Sequence, residues 1–246
     1  MSFFKRIFNF DDSLLVRNER RLARRFTISN DAPMKARLEV SGMDYPANLI
    51  DLSSDGAGLS IDTSLPMHDG LACRICLQAE DMRLPLQAWI AHVEIKEHYT
   101  SVGLDLKDNS YARRHSLVQI LEPIAMASQL KPAPGRDHKQ SKPGVVTTRY
   151  VSSGSSALSV FRNRSDASIT GFEIEMEGYQ IRSGVRPPAL IFSRAPDMSA
   201  PKADDNNLVP EEESQELHRL FDWISLHLSN RVPRQVGEYL KQYRSA

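Results

Sequence analysis

Between residues 34 and 106 the chain alternates apolar and polar positions in short runs. Residues 34–40 alternate, 47–52 form a short apolar run, and 57–61 follow a tight Asp55-Gly56 turn. Residues 71–77, 84–95 and 101–106 continue the series. Short strands at this spacing, with no helix between them, predict antiparallel pairing in a sandwich or a small barrel. Tyr111, His115, Val118 and Leu121 then recur at helical spacing, and Pro123 is expected to help stop that helix.

The pattern changes after residue 126. Residues 127–144 read as a linker, a polar stretch punctuated by Pro132, Pro134, Gly135, Pro143 and Gly144. Residues 145–246 read as a smaller α+β module. Phe172, Ile174 and Met176 alternate with Glu173, Glu175 and Glu177, as a half-buried strand would, and 189–192 form another strand. A Pro- and Asp-rich loop near 195–213 leads to a helix with Leu217, Leu220, Phe221, Ile224 and Leu228 on one face. Pro233 can open a second helix with Val236 and Leu240 inward. With residues 1–19 as a lead-in and 20–126 as the strand-rich domain, the chain has four zones and no internal repeat.

Of the 246 residues, 41% are hydrophobic and 25% charged, enough to bury an ordinary core. Lys+Arg and Asp+Glu both number 31, which argues against a surface that coats nucleic acid, and no DNA partner is expected. Two cysteines cannot staple a chain of this length. No apolar run approaches the ~20 residues of a spanning helix. Lys5, Arg6 and Asn9 interrupt Phe3, Phe4, Ile7, Phe8 and Phe10 before a secretory signal core can form, so a soluble cytoplasmic protein is expected.

The neutral total conceals a basic segment. Four arginines fall in Arg20-Arg21-Leu22-Ala23-Arg24-Arg25, just before the strands. The turn Asp51-Leu52-Ser53-Ser54-Asp55-Gly56 supplies a carboxylate, hydroxyls and a glycine between two strands. A guanidinium is a planar fork that fits phosphate oxygens and the O6/N7 edge of guanine. Asp51 can accept from a base N–H, Ser53 can donate or accept, and Gly56 permits a left-handed turn or close ligand approach. Together they suit a ligand that is both anionic and guanine-like.

Arg20-Arg21-x-x-x-Arg25 followed by Asp51-x-Ser53-x-x-Gly56 resembles the signature of PilZ domains, bacterial receptors for cyclic di-GMP. Ala57-Gly58-Leu59, Val102-Gly103-Leu104 and the terminal helix are similar to the family as well, over roughly residues 17–125. Arg20-x-x-x-Arg24 also satisfies the bare arginine spacing, though the paired form starting Arg20-Arg21 fits better. The resemblance implies a mainly β fold, a PilZ-like antiparallel β-barrel with a terminal helix, ahead of the α+β module. It implies that Arg20, Arg21 and Arg25 clamp phosphates and guanine edges, that Asp51 and Ser53 bond a guanine, and that Gly56 shapes the turn. Arg17, Arg24 and Gly58 are additional candidates. It also implies a receptor rather than an enzyme, with no cofactor besides the ligand, binding one ligand molecule or an intercalated pair. Binding is expected to re-aim residues 1–19 and the C-terminal module toward a protein partner in motility, polysaccharide output or a related process.

Other constellations point to less. Cys73-Arg74-Ile75-Cys76 fits C-x-x-C, but strand residues three apart face opposite sides, so structural buried cysteines are expected. A zinc there would need His68 or His92, and His92 and His115 read as core-edge residues. Glu173, Glu175 and Glu177 share a strand face that can hold a cation or simply be solvated. The Phe3–Phe10 segment can serve as a partner or membrane-surface hook, or pack on the barrel or a dimer mate. Two rival readings are an interaction or assembly subunit on a PilZ-like barrel, and a barrel binding RNA or single-stranded DNA with Trp89 as its chief aromatic.

Overall fold

The computed structural model describes residues 24–32, 34–63, 67–79, 82–106, 109–134, 143–152, 156–176, 178–184, 186–187, 189–194 and 209–244. The chain divides into two compact units, one ending at Ala125 and the other beginning at Met126.

The first unit is a closed barrel. Its strands are β1 (Phe26–Thr27), β2 (Lys35–Val40), β3 (Met43–Leu52), β4 (Gly56–Ile61), β5 (Ala72–Ala79), β6 (Met82–Ile95) and β7 (Thr100–Asp105), followed by helix α1 (Tyr111–Ser128). The sheet runs β3-β2-β5-β6-β7-β4 and closes where β4 pairs with β3, every ladder antiparallel. Alternation decides which side chains go in. Ala36, Leu38 and Val40 of β2, Leu84, Leu86, Ala88 and Ile90 of β6, and Val102 and Leu104 of β7 are all buried.

Three features depart from the sequence-based expectation. The strand expected at 47–52 begins at Met43, because Ser41 (φ 51°) and Gly42 (φ 77°) form a tight left-handed turn that pairs Val40 with Met43. The first half of β3 turns mostly exposed residues outward, so no apolar run announces it. Pro123 does not stop α1, which runs on to Ser128 with residues 117–127 buried on every side. Packing outweighs the missing N–H there. Finally, Asn109 completes β6 where β7 has ended. Its side-chain amide accepts from Gln87 N at 2.8 Å and donates to Gln87 O and Leu106 O at 2.7 Å.

The second unit is a six-stranded antiparallel meander, β8 (Lys131–Pro132), β9 (Val145–Val151), β10 (Ala157–Asn163), β11 (Ile169–Met176), β12 (Tyr179–Ser183) and β13 (Leu190–Arg194). Helices α2 (Glu211–Leu226) and α3 (Arg234–Lys241) complete it. Part of the stretch read as a linker is therefore the end of α1 and strand β8. Phe172, Ile174 and Met176 are buried as the alternation implies, and Phe172 stacks on Phe221 of α2 at 5.5 Å between ring centroids. The apolar stripe of α2 ends at Leu226, leaving Leu228 just beyond the helix.

The opposite face of the meander is ion-paired. Small residues Ala157 and Ser159 on β10 let Arg149 of β9 reach across to Glu175 of β11 at 2.7 Å, and Arg182 of β12 meets Glu173 at 2.6 Å. Glu173 and Glu175 are therefore held by arginines rather than set for a cation, while Glu177 lies outside the described residues.

His227 is buried beneath α2, stacked on Trp223, and its Nδ1–H donates to the Trp223 carbonyl at 2.8 Å. Burial holds its pKa below the ordinary 6.5, with the positive charge of Arg244 adding to the effect, and burial lowers His218 as well. Below about pH 6.5 the unfolded chain then binds more protons than the folded one, so stability falls as pH falls. The thermal midpoint of this unit is expected to drop between about pH 7.5 and 5.5 and to drop less in His227→Gln. A midpoint flat across that range would contradict this account.

Candidate ligand-binding site

The site is built where β3, β4 and β1 meet. A bulge between Leu49 and Asp51 leaves Ile50 unpaired and brings Asp51 opposite Gly58, on the outer face of the barrel. β3 then ends at buried Leu52, and β4 starts at Gly56. Ser53 closes the turn between them. Its N–H donates to Gly56 O at 2.8 Å, its hydroxyl donates to the same oxygen at 3.2 Å, and that hydroxyl accepts from Asp55 N at 3.3 Å. Ser53 is only 3% exposed, so its hydroxyl shapes the turn. Asp55 braces the turn from below through its carbonyl, which accepts from Leu106 N at 2.8 Å, and its carboxylate lies 3.8 Å from Arg114 of α1.

The arginine segment arrives from the other side. β1 pairs Phe26 with Leu52 and Thr27 with Asp51, and Phe26 is buried, which fixes the chain immediately after Arg25. Arg25 Nη1 donates to Asp51 Oδ1 at 2.7 Å, with Arg25 half exposed and Asp51 about a quarter exposed. The two expected elements, 26 positions apart, thus touch. Of the two arginine registers, Arg25 is the residue that meets Asp51, while Arg24 is exposed beside it. Arg17, Arg20, Arg21 and the segment Phe3–Phe10 lie outside the described residues.

Gly56 is required by close approach. A Cβ there would fall 2.8 Å from the Leu104 carbonyl and 3.2 Å from Arg25 Nη2. On the same outer-face row Gly56 aligns with Asp105, and Asp105 with Trp89. Two strand spacings place Trp89 about 10 Å from the turn. The residue is 45% exposed in the middle of a barrel strand. The cross-strand register reveals this neighbourhood, which linear spacing does not.

The remaining candidates separate from this site. Burial pushes the Cys73 thiol up to about 11, while Cys76 accepts from Arg83 Nε at 3.2 Å. Both thiols are free and half-buried rather than fully buried, with Cys76 on the outer face of β5. Among the described residues no group of His, Cys, Asp or Glu is arranged to hold a metal ion. His92 is exposed on the outer face, not at the core edge, and His115 is half-buried against Tyr111. No described helix is long and apolar enough to cross a membrane.

The closed barrel, its terminal helix and the paired Arg25–Asp51 motif have a counterpart among known families: residues 17–122 match the PilZ domain model. This stretch of the chain is similar to a PilZ domain. No curated protein matches the chain. Among solved structures, the PilZ domain of YcgR from Escherichia coli with c-di-GMP is 15% identical, over 40% of this chain and 86% of that one, with a TM-score of 0.36. An uncharacterized Legionella protein is 15% identical, over 40% of this chain and 90% of that one, with a TM-score of 0.29. The Borreliella burgdorferi PlzA protein in complex with c-di-GMP is 11% identical, over 87% of this chain and 98% of that one, with a TM-score of 0.33. The PilZ match stops at residue 122, so residues beyond it carry no family assignment.

Proposed function

We propose that this chain is a cytoplasmic receptor for cyclic di-GMP, whose ligand is read where Arg25 faces Asp51 across Gly56. The observation that carries the reading is that 2.7 Å contact, made by the two halves of the PilZ motif. An arginine fork and a carboxylate side by side match the two chemistries of a guanylate. Arg25, with Arg20 and Arg21, supplies charge-assisted donors to phosphate and to guanine O6/N7. Asp51 accepts from the guanine N–H groups, and Ser53 and Gly56 keep the turn in shape. Trp89 offers a flat face for stacking on the same side of the barrel.

Because Arg25 and Asp51 satisfy each other when no ligand is bound, binding exchanges one ion pair for several ligand contacts. That exchange reorganises the arginine segment, and its output is a changed presentation of residues 1–19 and of the second unit to a protein partner. The role is that of a receptor, and no residue is assigned a catalytic step. Calorimetric titration with cyclic di-GMP and with cyclic di-AMP tests the reading and gives the stoichiometry. Asp51→Ala is expected to weaken cyclic di-GMP about tenfold or more and cyclic di-AMP much less, because guanine presents N1–H and N2–H side by side to a carboxylate, whereas adenine presents only its N6 amino group. Equal losses for both nucleotides would refute base reading by Asp51.

A further inference from the structure

Gly56 and Gly58 are two positions apart on β4 and share its outer face. Arg25 and Asp51 lie on these two residues. Arg25 Nη2 is 3.2 Å from where a Gly56 Cβ would be, and Asp51 lies over Gly58. A Cβ on Gly58 would sit 2.8 Å from Asp51 Oδ2, 3.0 Å from its Cγ and 3.0 Å from Oδ1. All three of its nearest atoms thus belong to one carboxylate, the register partner of Gly58 across the β3–β4 ladder. Gly58 is not among the glycines with positive φ, so backbone freedom does not explain the residue.

We propose that Gly58 is a positioning residue: its missing side chain seats the Asp51 carboxylate against β4, facing Arg25, in the geometry that reads guanine. This inference rests on the receptor reading above. A methyl group at 58 must push the carboxylate off its seat, because real Cβ atoms essentially never approach another atom as closely as 2.8 Å. The carboxylate is the end of a rotatable side chain, so it moves and the strand need not. The barrel then keeps its fold, and alanine suits a strand interior better than glycine does. Gly56→Ala is unsuited to the test, since its Cβ would strike the Leu104 backbone carbonyl. Gly103→Ala is the proper control. It lies next to Gly58 on β7, and the nearest atoms to its Cβ would all be His92's, at ordinary distances of 3.5 Å or more.

The experiment is calorimetric titration of the full chain with cyclic di-GMP, in wild type, Gly58→Ala, Gly103→Ala, Asp51→Ala and the Gly58→Ala/Asp51→Ala double variant. The expected result is an affinity loss of about 10- to 100-fold in Gly58→Ala, none in Gly103→Ala, and no further loss when Gly58→Ala is added to Asp51→Ala. A Gly58→Ala chain that binds like wild type overturns the inference. So does a loss that simply adds to that of Asp51→Ala, since Gly58 would then act without the carboxylate. The Arg25 guanidinium NMR signal of the ligand-free chain gives a separate reading. It is expected to shift in Gly58→Ala and not in Gly103→Ala, and an unmoved signal overturns the seat. A wild-type chain that does not bind refutes the receptor reading instead, and the Arg25 signal then decides the seat alone.

Discussion

Arg25→Ala is expected to lower the affinity for cyclic di-GMP by about 100-fold while leaving the chain folded. The two halves of this expectation come from different physics. In the unliganded chain Arg25 is half exposed, and its pair with Asp51 lies at the surface, where such pairs contribute about 0–1 kcal/mol. Against a doubly anionic ligand, the same guanidinium offers charge-assisted bonds in a fork that no other side chain reproduces. Arg25→Lys is accordingly expected to fall between wild type and Arg25→Ala, since the charge remains and the fork is lost. Affinity and thermal midpoint measured on the same preparations separate the two effects. An affinity within about threefold of wild type, with the fold intact, would remove Arg25 from the site.

Phe172→Ala is expected to destabilise the second unit by about 3–5 kcal/mol. Phe172 is 1% exposed, stacks on Phe221 at 5.5 Å and meets Tyr243 edge-on at 5.2 Å. It joins the meander to both helices, because Phe221 belongs to α2 and Tyr243 lies just after α3. The surrounding β-strand and aromatic rings cannot collapse into the space a phenyl ring leaves, so the cavity cost adds to the lost transfer energy. Urea denaturation followed by tryptophan fluorescence in a Trp89→Phe background, where Trp223 of α2 is the remaining tryptophan, measures the loss. A change under about 1 kcal/mol would show that the aromatic cluster is not the core of this unit.

Much of the barrel is legible in the sequence because one face of each strand is buried and the other is not. Residues 34–40, 57–61 and 101–106 alternate and become strands β2, β4 and β7. The first half of β3 is not legible in the same way, since Met43, Asp44 and Pro46 are exposed and the Ser41-Gly42 turn carries the only signal. In the second unit β9 and β10 lack clean alternation because both their faces are at least partly covered, so period two fades. In the candidate site, chemistry and spacing bring Arg25, Asp51 and Gly56 to notice, and the structure places these three together. Two aspects of it depend on cross-strand register, which a linear pattern does not carry: the position of Trp89 beyond Asp105, and the Asp51 carboxylate over Gly58.

A closed ring of six strands has no edge strand, whereas a meander has two. In the barrel each strand of the ring pairs with two neighbours, although residues 43–47 of β3 and 82–88 of β6 have a described strand on one side only. The second sheet ends at β8 and β13, each paired on one side only among the described strands. In the second unit a peptide can therefore be added as a further strand at β13, whose outer side has no described strand beside it.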